Sequence, residues 1–405
     1  TNLPVKGTIV LQKNVSPGSG GAVGSGGVVG SGGKTGSGGA TSSGGAVGSG
    51  GKTGSGGATA GAGGATTGAG GTAGTGGTTS AGGATGKGPC DIYAAANNKC
   101  VAAHSTVRVL FSSYTGSLYQ VKRASDSKTQ DIGVTADGFA DSGAQDTFCT
   151  GTTCVITLVY DQSGNGNLVE AETSDSKVGG NKGQSASNAT QELLNVGGHK
   201  VYSLYMKTAQ AYWRDGSKSA MPLGKDPQGI YMVTSGKHFG SGCCFDYGNG
   251  PTSRNMSGGG TMDALNFSSC TMWGTGAGSG PWVMADLEGG LYAQGGGGKN
   301  NSVLSMTSAY VTAIEKNNGT TEFALKGADA TTGNLATFYK GGLPSGYNPM
   351  KKQGSIILGS GGDCCYSNTT MSQGTLYEGA IVAGYPSDAT EDAVQANIVS
   401  AGYGK

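Results

Sequence analysis

The chain has 405 residues, of which 82 are glycine and only 13% are charged, and its formal net charge is +1. No basic cluster interrupts that neutrality, which excludes the electrostatic footprint of a nucleic-acid binder or of a protein that docks on an anionic membrane. No apolar run approaches the roughly 18–20 residues that a bilayer-spanning helix needs.

Residues 1–17 open with an alternation. Leu3, Val5, Ile9 and Leu11 fall on one face, and Lys6, Thr8 and Gln12 on the other. This predicts a lone β-strand with no hairpin partner nearby, so its partner must be distant. Beginning at Thr1 with no initiator Met and no leader, the chain reads as a mature, processed form. Residues 18–88 then repeat GSGGAV, GSGGVV, GSGGKT and GSGGAT, with a finer glycine period of three. The tract has no aromatic residue and no proline, and its only charges are Lys34, Lys52 and Lys87. Such a segment cannot bury enough apolar surface to offset the entropy of ordering. A flexible linker is the first reading. Extended helices of three residues per turn, with all glycines on one face, are the alternative.

After Pro89 the composition changes. Short β-rich runs at 154–160, 229–234, 282–287, 355–358 and 377–383 are separated by Gly/Asn/Ser turns. They predict an all-β sandwich or barrel over residues 89–405, with one convincing helix at 388–400. Cys90 and Cys100 bracket a short loop, Cys149 and Cys154 a shorter one, and Cys243-Cys244 and Cys364-Cys365 are adjacent pairs; Cys270 stands apart. There is no matched CxxC spacing, and His104, His199 and His238 are scattered. Disulfides in an oxidising compartment are therefore expected rather than a metal site, with no cofactor and a secreted or surface location. Asn188, Asn266, Asn318 and Asn368 open Asn-x-Ser/Thr sequons and are candidate glycosylation sites.

The residues that suit chemistry are carboxylates. Residues 281–292 read as one strand with Trp282, Met284, Asp286 and Glu288 on one face and Val283, Ala285 and Leu287 on the other. Two carboxylates and a tryptophan on one face fit a sugar site, although a solvated strand face has the same pattern. Asp363 follows a glycine run in GSGGDCC, which permits close backbone approach but is also an ordinary turn. Trp273, taken alone, reads as a core residue.

The phrases GPCDIY (88–93), VAAHST (101–106), QDTFC (145–149), YDQSGNGN (160–167), CCFDYGN (243–249), GPW (280–282), GYNPM (346–350) and GYPSD (384–388) give the 88–405 region a family likeness. In order and spacing it resembles the catalytic domain of the arabinofuranosidase B family, glycoside hydrolase family 54. The resemblance implies a concanavalin-like β-sandwich that removes terminal α-L-arabinofuranosyl groups from polysaccharide with retention of configuration. It implies Glu288 as nucleophile and Asp363 as acid/base, with Asp286 and the backbone of Gly362 contacting the sugar. It further implies a vicinal Cys243–Cys244 disulfide as an apolar platform, Trp273 as a wall, and Cys90–Cys100 and Cys149–Cys154 as structural bridges. Two places depart from the family's pattern: Gly289 stands where relatives have a polar amide, and Cys364-Cys365 where they have small polar residues. Three cysteines are then left (Cys270, Cys364 and Cys365), so one is free or intermolecular. The reading from another class is a structural or surface fibre protein that self-assembles through the N-terminal strand and glycine-rich arm.

Overall fold

The computed structural model describes residues 86–180, 184–359 and 372–405. The strand expected within 1–17 and the repeat up to residue 85 lie outside the described residues, as do Gly362, Asp363, Cys364, Cys365 and the Asn368 sequon.

Two antiparallel sheets dominate what is described. The six-stranded sheet runs, edge to edge, Cys100–Ser105, Glu378–Ala383, Gln228–Thr234, Val311–Asn317, Phe323–Asp329 and Ala336–Gly341. One end of the ten-stranded sheet runs Leu291–Tyr292, Trp282–Asp286, Asp263–Ser268, Asp246–Gly250, Ser355–Gly359 and Ala211–Asp215, and four more strands follow. The β-runs expected from the sequence at 154–160, 229–234, 355–358 and 377–383 coincide with strands to within a residue or two.

The sheets stack through their alternating apolar residues. Leu265, Phe267, Val283, Ala285, Ile356 and Leu358 are buried, as are Ile230, Met232, Leu325 and Ile381 from the other sheet. Each such side chain contributes about 1.5–3 kcal/mol relative to exposure. Two glycines leave room for side chains packed against the six-stranded sheet. A Cβ on Gly379 would sit 2.7 Å from the Tyr247 ring, and one on Gly327 would be 2.5 Å from Phe338 and 3.4 Å from Val283.

Within this apolar layer lies a charged cluster. Lys352 Nζ is 3.4 Å from Asp263 Oδ2, Asn317 Nδ2 donates to Asp263 Oδ1 at 3.1 Å, and Glu315 is fully buried beside them. The far face of the six-stranded sheet is covered by the helix Asp388–Ala401, which matches the expected helix. Ser387 caps it by accepting from the Thr390 amide, and Gly402 ends it at φ +78°. Its Glu391 meets Lys316 and Lys326 at 2.9 and 2.6 Å.

The bridges Cys90–Cys100 and Cys149–Cys154 are both formed. Each involves a short helix that the sequence reading missed, Pro89–Ala95 in one case and the end of Ser142–Phe148 in the other. No helix among the described residues is long and apolar enough to cross a membrane.

Candidate active site

The expected strand over residues 281–292 is instead a hairpin. The strand Trp282–Asp286 stops at Asp286, and Leu291–Tyr292 returns antiparallel, with Asp286 opposite Leu291 and Ala285 opposite Tyr292. Glu288 is therefore not the next residue on the strand face. It sits in the turn at φ +65°, followed by Gly289 at +76°. A left-handed non-glycine residue costs about 1–3 kcal/mol, so its surroundings must hold it there.

They do so with hydrogen bonds at both backbone and side chain. The Glu288 amide donates to Asp286 Oδ1 at 3.1 Å, and the Glu288 carbonyl accepts from Tyr347 Oη at 2.7 Å. The Ser257 amide donates to Glu288 Oε1 at 2.7 Å, and the Gly260 amide donates to the Leu287 carbonyl at 2.8 Å. Both carboxylates are buried, Glu288 at 2% exposure and Asp286 at 6%. Charge-assisted bonds from backbone N–H groups are what make a buried carboxylate tolerable.

Cys243 and Cys244 are bonded to each other. Cys244 Sγ lies 3.3 Å from Asp286 Oδ2, so the disulfide and the Asp286 carboxylate are in contact. The two sulfurs and that carboxylate fall within 4.8 Å of one another. A disulfide has no thiolate to offer a metal, so this group does not read as a metal site. Cys270 is a buried free thiol. Burial raises its pKa and the Asp286 charge adds to the effect, so it is a poor nucleophile.

Trp273 is 43% exposed, which corrects its reading as a core residue. Its carbonyl accepts from the Gly298 amide at 3.0 Å, and a Cβ on the next residue, Gly274, would lie 2.6 Å from the Leu291 carbonyl oxygen. That close approach brings the Trp273 segment against the hairpin carrying Glu288.

The same sheet adds polar residues that the sequence reading did not assign. Asn266 stands opposite both Asp246 and Met284 in register, and its Nδ2 donates to Asp246 Oδ1 at 2.7 Å; Ser268 Oγ donates to Asn266 Oδ1 at 2.8 Å. Asn266 is fully buried, so this sequon is not a glycosylation site. Its signal was the alternation Ala264, Asn266, Ser268 on the face that Asp286 shares. Tyr292 gave no pattern, and Tyr347 entered only as part of the GYNPM phrase, with no role assigned.

A family model for the catalytic region of α-L-arabinofuranosidase B matches residues 89–404. The chain belongs to that family. Similar arabinofuranosidase B relatives include a probable α-L-arabinofuranosidase B of Aspergillus fumigatus, 48% identical over 321 residues, which cover 78% of this chain and 62% of the relative. An α-L-arabinofuranosidase of Hypocrea jecorina is 47% identical over 320 residues, 78% of this chain and 63% of that one. The chain thus spans less than two thirds of the length of these relatives.

Among solved structures, a family 54 α-L-arabinofuranosidase soaked with a cyclic sulfate inhibitor superposes with a TM-score of 0.72 at 43% identity, covering 78% of this chain and 66% of that one. An arabinofuranosidase complexed with arabinofuranosyl-α-1,2-xylobiose gives 0.73 at 44% identity, covering 78% and 65%. The β-sandwich expected for the arabinofuranosidase B family is the fold observed.

Proposed function

We propose that this chain is an exo-acting α-L-arabinofuranosidase that cleaves with retention of configuration. Retaining glycosidases place two carboxyl groups about 5–5.5 Å apart across the scissile bond. Glu288 attacks the anomeric carbon, while Asp363 protonates the leaving oxygen and then activates water to release the sugar. Asp286 accepts a sugar hydroxyl, the Gly362 backbone adds a contact, Gly289 leaves the turn open beside the nucleophile, and Cys243–Cys244 and Trp273 bound the sugar's apolar faces.

The observation that carries this reading is Glu288 itself. A buried carboxyl group on a left-handed turn, with one oxygen fixed by the Ser257 amide and its backbone tied to Asp286, is preorganised for attack. The substrate class is an arabinose-bearing polysaccharide, in keeping with the arabinofuranosyl-xylobiose held by a solved relative. Two disulfides outside the site and the fungal relatives favour a secreted location. The fibre alternative draws no support from the described residues.

Kinetics on two substrates test the assignment. Glu288→Gln should abolish turnover. Asp363→Asn should retain activity on 4-nitrophenyl α-L-arabinofuranoside, whose leaving group needs little protonation, but lose it on polysaccharide. Folded wild-type protein that is inert on every arabinofuranoside would sink the reading.

A further inference from the structure

Glu288 is held from two directions by separate pieces of chain. Its backbone belongs to the hairpin, while its carboxylate is oriented by the Ser257 amide on the segment 257–260. A nucleophile supported in this way keeps its aim only if the two pieces keep their relative position.

One ring touches both. Tyr347 Oη donates to the Glu288 carbonyl at 2.7 Å and accepts from Tyr292 Oη at 2.9 Å. The same Oη lies 3.1 Å from where a Cβ on Gly289 would stand, and a Cβ on Gly259 would meet the ring at 2.8 Å. Tyr347 thus packs between the left-handed turn and the segment that supplies the Ser257 amide. It is itself anchored: its amide donates to the Pro344 carbonyl at 3.1 Å, and the Lys351 amide donates to the Gly260 carbonyl at 2.7 Å. Tyr292, on the returning hairpin strand, stands edge-on to it at 5.4 Å. Burial, the hydrogen bond from Tyr292 and the charges of Asp286 and Glu288 all raise the Tyr347 pKa, so the phenol keeps the proton it donates.

We infer that Tyr347 is a positioning residue for the nucleophile: its hydroxyl fixes the left-handed turn of Glu288 against the segment that orients the Glu288 carboxylate. The inference rests on the reading of Glu288 as nucleophile given above. It predicts a loss in the bond-forming step rather than in binding, because the Tyr347 hydroxyl bonds to the peptide of Glu288. Misplacing a reacting group by about 1 Å can cost up to roughly 100-fold.

The test is covalent inactivation by an α-L-arabinofuranose-configured cyclic sulfate. The Glu288 carboxylate forms a bond to the anomeric carbon, the anomeric carbon–oxygen bond to the sulfate breaks, and the electron pair stays on the sulfate oxygen. No proton from Asp363 is needed, so the assay isolates the nucleophile. Tyr347→Phe should lower the inactivation rate constant by about 10-fold or more and leave the inhibitor constant within about twofold, with labelling still on Glu288 by peptide mass spectrometry. Tyr292→Phe, which removes only the donor to Tyr347, should show a smaller loss in the same direction, and it decides the matter if Tyr347→Phe does not fold. Folded variants inactivated at the wild-type rate would overturn the inference while leaving Glu288 as nucleophile. Wild-type protein labelled at another residue would overturn the proposed function and the role of Tyr347 together.

Discussion

The buried carboxyl Glu315 should make the domain lose stability as pH rises, and Glu315→Gln should remove that loss. Burial pushes both Glu315 and Asp263 up, but Lys352 and Asn317 pull Asp263 back. The Asp263 charge adds to the effect of burial on Glu315, so the proton of this buried pair is held on Glu315. Glu391 and Tyr385 are the other titratable groups close enough to couple to Glu315. The sign follows from linkage. A group whose folded pKa is raised contributes its full stability below its unfolded value, about 4.3 for Glu, and loses it as pH climbs towards the folded value. In that window each pH unit costs the wild type about 1.4 kcal/mol for the one proton retained on folding. Glutamine has nearly the same shape, is neutral and does not titrate. Urea unfolding at pH 4, 5, 6 and 7, with disulfides intact, should give nearly equal stabilities at pH 4. Above that, the variant's advantage should widen by about 1.4 kcal/mol per unit with unchanged m-values. Parallel stability curves for the two proteins would show that Glu315 is ionised in the folded state and refute the argument.

Two further outcomes follow from exposure and from the chain's organisation. Trp273→Ala should raise KM for an aryl arabinofuranoside by about 10-fold or more through lost ring contact, with little change in Tm because the side chain is half exposed. Removing residues 1–85, which keeps Gly88 bonded to Asp91 and Lys87 bonded to Asn397, should leave kcat/KM within about twofold of the full chain. Light scattering on the same pair of proteins reads whether the arm assembles the chain.

Legibility in the sequence tracked how far each feature obeys a period. Strands such as Gln228–Thr234 and Ser355–Gly359 are buried on both faces, so they stand out as uninterrupted apolar runs between turns. The helices Pro89–Ala95 and Ser142–Phe148 are seven residues each, too short for a 3.6-residue period to register. Their only cues were local: Pro89 at the first turn and Asp91 bonding back to the Gly88 amide in one, and Asp141 as N-cap in the other.

The family resemblance points to Glu288, but the strand alternation puts it on the wrong backbone. The alternation of Trp282, Met284 and Asp286 runs on through Leu287 and Glu288, and only Gly289-Gly290 announces the turn. Asn266 misled for a related reason, since a three-residue sequon carries no information about burial. Tyr347 lies in the GYNPM phrase, but its role had no signal, because it depends on a contact between loops distant in sequence.

The central claim is retention through a covalent intermediate on Glu288, and trapping by methanol tests it most directly. With 4-nitrophenyl α-L-arabinofuranoside as donor and methanol as acceptor, the product's anomeric configuration is read by proton NMR. Methyl glycosides do not mutarotate, so the reading does not decay with time. The account predicts methyl α-L-arabinofuranoside alone, and formation of the β-anomer would contradict it.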